Sequence, residues 1–169
     1  MNSSKVFIFH YNVTNFSASA SSVSKGEGLK DTVQNIHAMK MDCAVMRHPV
    51  PGSCLQLSKY VDAVVINAGD GTHEHPTQAL LDMMSIKEKF GKLKGLNIAI
   101  VGDILHSRVA LSNIYGLQKM GAKVTLCGPP HLIPRGIQEL GVSVNTDIDE
   151  VIEWADALNV LRIQRERMG

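Results

Sequence analysis

The texture of the apolar segments constrains this chain most. The stretches 43-CAVMRH-48, 62-DAVVIN-67, 97-NIAIVG-102, 122-AKVTLC-127 and 156-DALNVL-161 are near-continuous apolar runs, not alternating ones. A strand with one wet face alternates. A run without alternation fits a strand covered on both faces, as in a parallel sheet flanked by helices. Weaker runs stand at 5-KVFIFH-10 and 142-VSV-144. Helical patterns separate them. Ser24 and Glu27 form a capping box that opens a helix to about Met39. A second helix is predicted over roughly 52–60. Pro76 suits a first helical turn, and its helix runs to about Phe90. Ser107 is placed to cap a helix that stops near Gly121, and short helices fit 131–140 and 147–155. The glycine- and lysine-rich 90-FGKLKG-95 separates two blocks, with the 76–90 helix as the bridge. The predicted class is α/β, with parallel sheets in both blocks.

The bulk numbers narrow the function. The chain has 169 residues, enough for a real core, and a net charge of +1, which gives no general attraction for nucleic acid or acidic membranes. No apolar stretch approaches the roughly 18 residues of a membrane span. The opening MNSSKVFIFHYN carries no sustained apolar core and no small-residue cleavage site, so it does not read as a signal peptide. Cys43, Cys54 and Cys127 are odd in number and widely spaced, which fits a reducing, cytoplasmic setting better than a disulfide framework. By composition, 17-SASASSVS-24 reads as a flexible loop.

Parallel sheets bind ligands beyond the carboxyl ends of their strands. At those exits stand Arg47; then His73, Glu74 and His75; then Asp103, His106 and Arg108; then Arg162, Gln164 and Arg165. Arginine's planar fork of donors matches carboxylate and phosphate oxygens in pairs. The helices after Pro76 and Ser107 add free N–H groups and a positive dipole end. Four such exits facing one cleft predict a small ligand with several negative charges. Alternatives remain at single positions. An arginine after a strand is often a solvated charge. His73 and His75 have metal-pair spacing but no third ligand, and no metal is expected. His75 could simply cap the helix, and Asp70, between Gly69 and Gly71, is most simply a turn residue. No Gly-x-Gly-x-x-Gly follows 97-NIAIVG-102, so a dinucleotide fingerprint is missing, and no Gly-x-Ser-x-Gly elbow occurs either; no cofactor is expected.

The string from Asn67 to Asp82, which ends His-Pro-Thr-Gln-Ala-Leu-Leu-Asp, resembles the catalytic chains of aspartate carbamoyltransferases. So do 17-SASASSVSKGE-27, 47-RHP-49, 101-VGDILHSRVA-110 and 161-LRIQRERM-168, in the family's order and over about residues 14–169. Ornithine carbamoyltransferases share the His-Pro-x-Gln core, but the Leu-Leu-Asp continuation and Arg-x-Gln-Arg-Glu-Arg are similar to the aspartate branch.

The resemblance implies carbamoyl transfer from carbamoyl phosphate to L-aspartate in pyrimidine synthesis, without metal or covalent intermediate. It implies that Arg47 and His75 act at the carbonyl oxygen and that Arg47, His75, Gln78, Ser21 and Lys25 hold carbamoyl phosphate. Arg108, Arg162, Gln164 and Lys25 match the aspartate side. It further implies a homotrimer with shared active sites, to which Ser21 and Lys25 contribute from a mobile loop, and a regulatory chain or fused domains as further partners. The implied layout is two partial parallel-sheet α/β subdomains joined by a bridging helix. Residues 1–82 would be part of a carbamoyl phosphate-binding domain, 83–95 the bridging helix and linker, and 96–169 part of an aspartate-binding domain. Three features depart from the family. Its Ser-Thr-Arg-Thr phosphate cradle would lie ahead of residue 14, where MNSSKVFIFHYNV does not match, and its C-terminal part has no counterpart here. Leu111 stands where many members have arginine. Alone, the 169 residues are expected to form no more than traces of product. The alternative is an inactive homologue that binds anions or serves in assembly.

Overall fold

The computed structural model describes residue 38 and residues 40–163. The chain divides into two compact units between Lys40 and Met41, and the described residues from Met41 onward lie in the second. Ser21, Lys25, Gln164, Arg165 and the strand expected at 5–10 lie outside the described residues, as does the expected 24–39 helix apart from Ala38.

In chain order the elements are β1 (Cys43–His48), α1 (Ser53–Leu57), β2 (Val64–Asp70), α2 (Pro76–Phe90), β3 (Asn97–Val101), α3 (Arg108–Lys119), β4 (Lys123–Cys127), β5 (Ser143–Asn145), α4 (Ile148–Trp154) and β6 (Ala157–Val160). β1 and β2 form a two-stranded parallel sheet, and the other four strands form a parallel sheet in the order β5-β4-β3-β6. The α/β class holds, with helices and parallel strands alternating along the chain.

The four-stranded sheet has the buried core. Ile98, Ile100, Leu126, Ile114 and Leu117 are fully buried between the sheet and α3, and Met83 and Ile86 of α2 pack against them. α2 approaches α3 closely because Gly116 has no side chain: a Cβ there would come 2.7 Å from Met83 Cε. α3 starts where the sequence says it should, since Ser107 Oγ accepts the Ala110 amide at 3.3 Å. α2 opens on Pro76 and ends at Gly91, whose left-handed conformation suits glycine.

Several expectations need correction. The two-sided cover predicted for most of the apolar runs fails at β1, β2 and β6, where exposed residues alternate with half-buried ones: Val45 is 69%, Val64 64% and Val160 73% exposed. β2 starts two residues later than expected and runs on through Asp70. The helix expected at 52–60 is the shorter α1. The helix expected at 131–140 is instead two single 3₁₀ turns, Pro130–Leu132 and Ile137–Leu140. Pro134 explains the break: it holds Ile133 extended, and Gly136 then turns left-handed.

Candidate functional site

In the four-stranded sheet the chain steps from β3 to β4 to β5, then returns to lay β6 on the other side of β3. In such a sheet the reversal of strand order, between β3 and β6, marks the carboxyl ends of these strands as the place for a ligand. Arg108 follows the first of these strands and Arg162 the second.

The other wall comes from β1 and β2. Their register is regular to Met46↔Asn67 and resumes at His48↔Asp70, so Ala68 and Gly69 stand against Arg47 alone. Such an irregularity re-aims a side chain. Beyond it the chain turns around Asp70, which is 1% exposed. Its carboxylate accepts from the Gly52 amide at 2.7 Å, Asn67 Nδ2 at 2.8 Å and the Glu74 amide at 3.2 Å, and His73 Nδ1 lies 3.2 Å away. Burial pushes this carboxyl up, but the hydrogen bonds from Asn67, Gly52, His73 and Glu74 together outweigh it and hold it below 3.8. Asp70 is thus the organising anion of the loop, not a plain turn residue. The loop is then tied to α3, because the His75 amide donates to Ser112 Oγ at 2.8 Å.

Arg47, His75, Gln78 and Asp82 from the first wall and Ser107, Arg108, Val109, Asn159, Val160, Leu161 and Arg162 from the second line one cavity of about 510 Å³. The structure therefore brings together five of the predicted site residues: Arg47, His75, Gln78, Arg108 and Arg162. Three predicted residues, Ser21, Lys25 and Gln164, lie outside the described residues. His73 and His106 do not line the cavity. His73 faces Asp70, and His106 Nδ1 sits 2.9 Å from the buried Asp103. Among the described residues no three His, Cys, Asp or Glu side chains are grouped to hold a metal.

His75 occupies the N-cap position of α2, but its side chain makes no capping bond; Nδ1 lies 3.2 Å from Thr77 Oγ1. The simple capping role is therefore set aside. Burial, then the positive charges of Arg108 and Arg47, pull its imidazole below 6.5, so it is neutral at pH 7. Arg108 is 8% exposed and donates to the Gly71 carbonyl at 3.2 Å. Its guanidinium lies across Gly69, where a Cβ would meet Cζ at 2.7 Å. With φ at +114°, Gly69 also adopts a backbone that other residues rarely take.

Sequence reasoning missed Asp82, Asn159 and Ser107 as cavity residues. Asp82 had a readable signal: it follows Gln78 by four residues on one helix, which puts both on the same face. Asn159 had none, lying inside an apolar run.

The geometry agrees with the comparisons. Residues 8–88 match the family described as aspartate/ornithine carbamoyltransferase, carbamoyl-P binding domain. The aspartate carbamoyltransferase catalytic subunit of Christiangramia forsetii is 60% identical over 156 residues, covering 92% of this chain and 50% of the relative. That of Cytophaga hutchinsonii is 62% identical over 153 residues, covering 90% and 50%. Over about nine tenths of its length the chain is thus similar to aspartate carbamoyltransferase catalytic subunits. Aspartate transcarbamoylase from Trypanosoma cruzi, in complex with carbamoyl aspartate and phosphate, superposes with a TM-score of 0.82 at 34% identity. That match covers 92% of this chain and 55% of the other. The same enzyme in complex with N-(phosphonacetyl)-L-aspartic acid gives 0.80 at 34% identity, covering 92% and 54%. The chain spans about half the length of the curated relatives it matches. Within the carbamoyltransferase pattern, Leu111 packs partly buried against the core of the four-stranded sheet, as an apolar residue can and a charged one cannot without a partner.

Proposed function

We propose that this chain forms the described part of an aspartate carbamoyltransferase site, in which carbamoyl phosphate and L-aspartate meet in the cavity between the two walls. The observation that carries the reading is the convergence of Arg47, His75, Arg108 and Arg162 on one hollow. In the reaction the aspartate amine attacks the carbamoyl carbon. A C–N bond forms, the C–O bond to phosphate breaks, and the proton shed by the amine passes to the departing phosphate. Negative charge grows on the carbonyl oxygen and on the departing phosphate. Arg47 and a neutral His75 N–H supply donors there, already fixed in place, at no reorganisation cost. Gln78 holds the carbamoyl phosphate, and Arg108 and Arg162 take the carboxylates of aspartate in paired hydrogen bonds. Ser21, Lys25 and Gln164 complete this assignment: Ser21 and Lys25 on carbamoyl phosphate, Lys25 and Gln164 on aspartate.

The domain reading belongs to the same proposal: 1–82 within a carbamoyl phosphate-binding domain, 83–95 the bridge, and 96–169 within an aspartate-binding domain. So do a cytoplasmic homotrimer with shared sites and a regulatory chain or fused domains. No helix among the described residues is long and apolar enough to cross a membrane.

The test assays the full reading frame that contains this sequence with carbamoyl phosphate and L-aspartate. N-carbamoyl-L-aspartate and phosphate should appear in equal amounts. His75→Ala should lower turnover by about a hundredfold, with little change in the unfolding midpoint because its side chain caps nothing. Anion binding without product would instead support the inactive homologue.

A further inference from the structure

A carboxylate in the wall of a cationic cavity is unexpected, and Asp82 is such a group. It accepts from Gln78 Nε2 at 2.8 Å through Oδ1, and from Asn113 Nδ2 at 2.7 Å and Asn159 Nδ2 at 3.0 Å through Oδ2. These donors come from α2, α3 and β6, so one side chain ties both walls together. An ionised carboxylate only accepts, so each amide must turn its NH₂ end toward it. Asn113 does so although its own Oδ1 is left buried with no partner. Leaving an acceptor orphaned is costly, which shows how strongly Asp82 dictates the direction of the amides around it.

The same dictation acts on Gln78. With one N–H of Nε2 committed to Asp82, the amide is fixed in direction, and Oε1 is held as an acceptor at its other end. We propose that Asp82 is a positioning residue that sets the ligand preference of this cavity: it fixes the Gln78 amide so that its carbonyl oxygen receives an N–H donor of the bound acyl phosphate. The proposal rests on the carbamoyl phosphate reading above and adds its discrimination. A carbamoyl group carries an NH₂ that satisfies Gln78 Oε1. An acetyl group of nearly the same shape places a methyl there and leaves that oxygen unpaired. Sites built around a hydrogen bond reject the analogue that lacks it far better than apolar pockets reject isosteres.

The test measures dissociation constants of carbamoyl phosphate and acetyl phosphate by titration calorimetry, for the full reading frame and its variants. The wild type should prefer carbamoyl phosphate. Asp82→Ala frees the Gln78 amide to turn and should lower that preference about tenfold. Asp82→Asn offers Gln78 either a donor or an acceptor and should lower it severalfold with little change in the unfolding midpoint. In a Gln78→Ala background neither change at 82 should lower the preference further, because the effect travels through Gln78. An unchanged preference in folded Asp82→Ala overturns the assignment. If that variant does not fold, an unchanged preference in Asp82→Asn does the same, as does a full additional loss in the Gln78→Ala background. A wild type that binds neither phosphate overturns the carbamoyl phosphate reading itself, and this assignment with it. A wild type that discriminates beside variants that discriminate equally overturns the assignment alone.

Discussion

The two walls of the cavity are built by different physics. The wall with Arg108 and Arg162 stands on a four-stranded sheet whose Ile98, Ile100 and Leu126 are fully shielded from water. The wall with Arg47 and His75 stands on two strands with exposed apolar side chains, Val45 at 69% and Val64 at 64%. There position is fixed by hydrogen bonds instead: Asp70 gathers Gly52, Asn67, His73 and Glu74, and Ser112 holds the His75 amide. Apolar packing is tolerant of direction, and a carboxylate with several donors is not. The second wall therefore gains orientation from polar contacts that it cannot gain from burial.

That contrast breaks most visibly in the core. Leu126→Ala should cost about 3 kcal/mol, since it removes a wholly buried side chain and leaves a cavity. Val45→Ala should cost no more than about 0.5 kcal/mol. Denaturant unfolding of both variants checks the pair, and equal losses would erase the distinction between the walls. Next comes Asp70→Asn, expected to cost about 2 kcal/mol by leaving a buried donor facing a donor. Because Asp70 is held below 3.8 when folded, its contribution is present above that value and is lost as pH falls through the folded pKa. The Asn variant should therefore show a flatter stability profile in acid. The smallest effect sharpens the comparison at His75. Its pKa is lowered on folding, so the unfolded chain binds more protons below 6.5. Stability present above 6.5 is then lost as pH falls through the folded value. Replacing His75 with Gln should remove the part of the slope that lies below 6.5 and ends at the lowered folded value. Identical slopes in the two proteins would contradict the origin given for the shift.

The sequence exposed the two walls unequally. β3 and β4 were legible to within a residue or so because their burial is reported by the apolar runs themselves; β6 was legible as an apolar run although Leu158 and Val160 are exposed. α2 and α3 were legible because Pro76, Gly91 and Ser107 act locally, within one turn of their own position. The cationic cluster was visible as a pattern of strand exits, since topology alone sends those loops to one edge. The dense bonding of Asp70 was not visible, because a glycine-flanked aspartate in a turn looks the same whether it accepts one bond or four. Nor was Asn159, whose partner is Asp82, 77 residues away. Long-range polar pairs leave no period in the chain. The exposed face of β1 was misread for a related reason: 43-CAVMRH-48 is apolar enough to be covered, and nothing local states whether a neighbour covers it.

Gly69 and Arg108 fit as keyway and key, though they are far apart in the chain. Neither position can drift by itself. A side chain added at 69 ejects the guanidinium, and a shorter residue at 108 leaves the groove above the glycine open. Anyone reshaping this pocket for a different ligand must therefore redesign the two as a single unit.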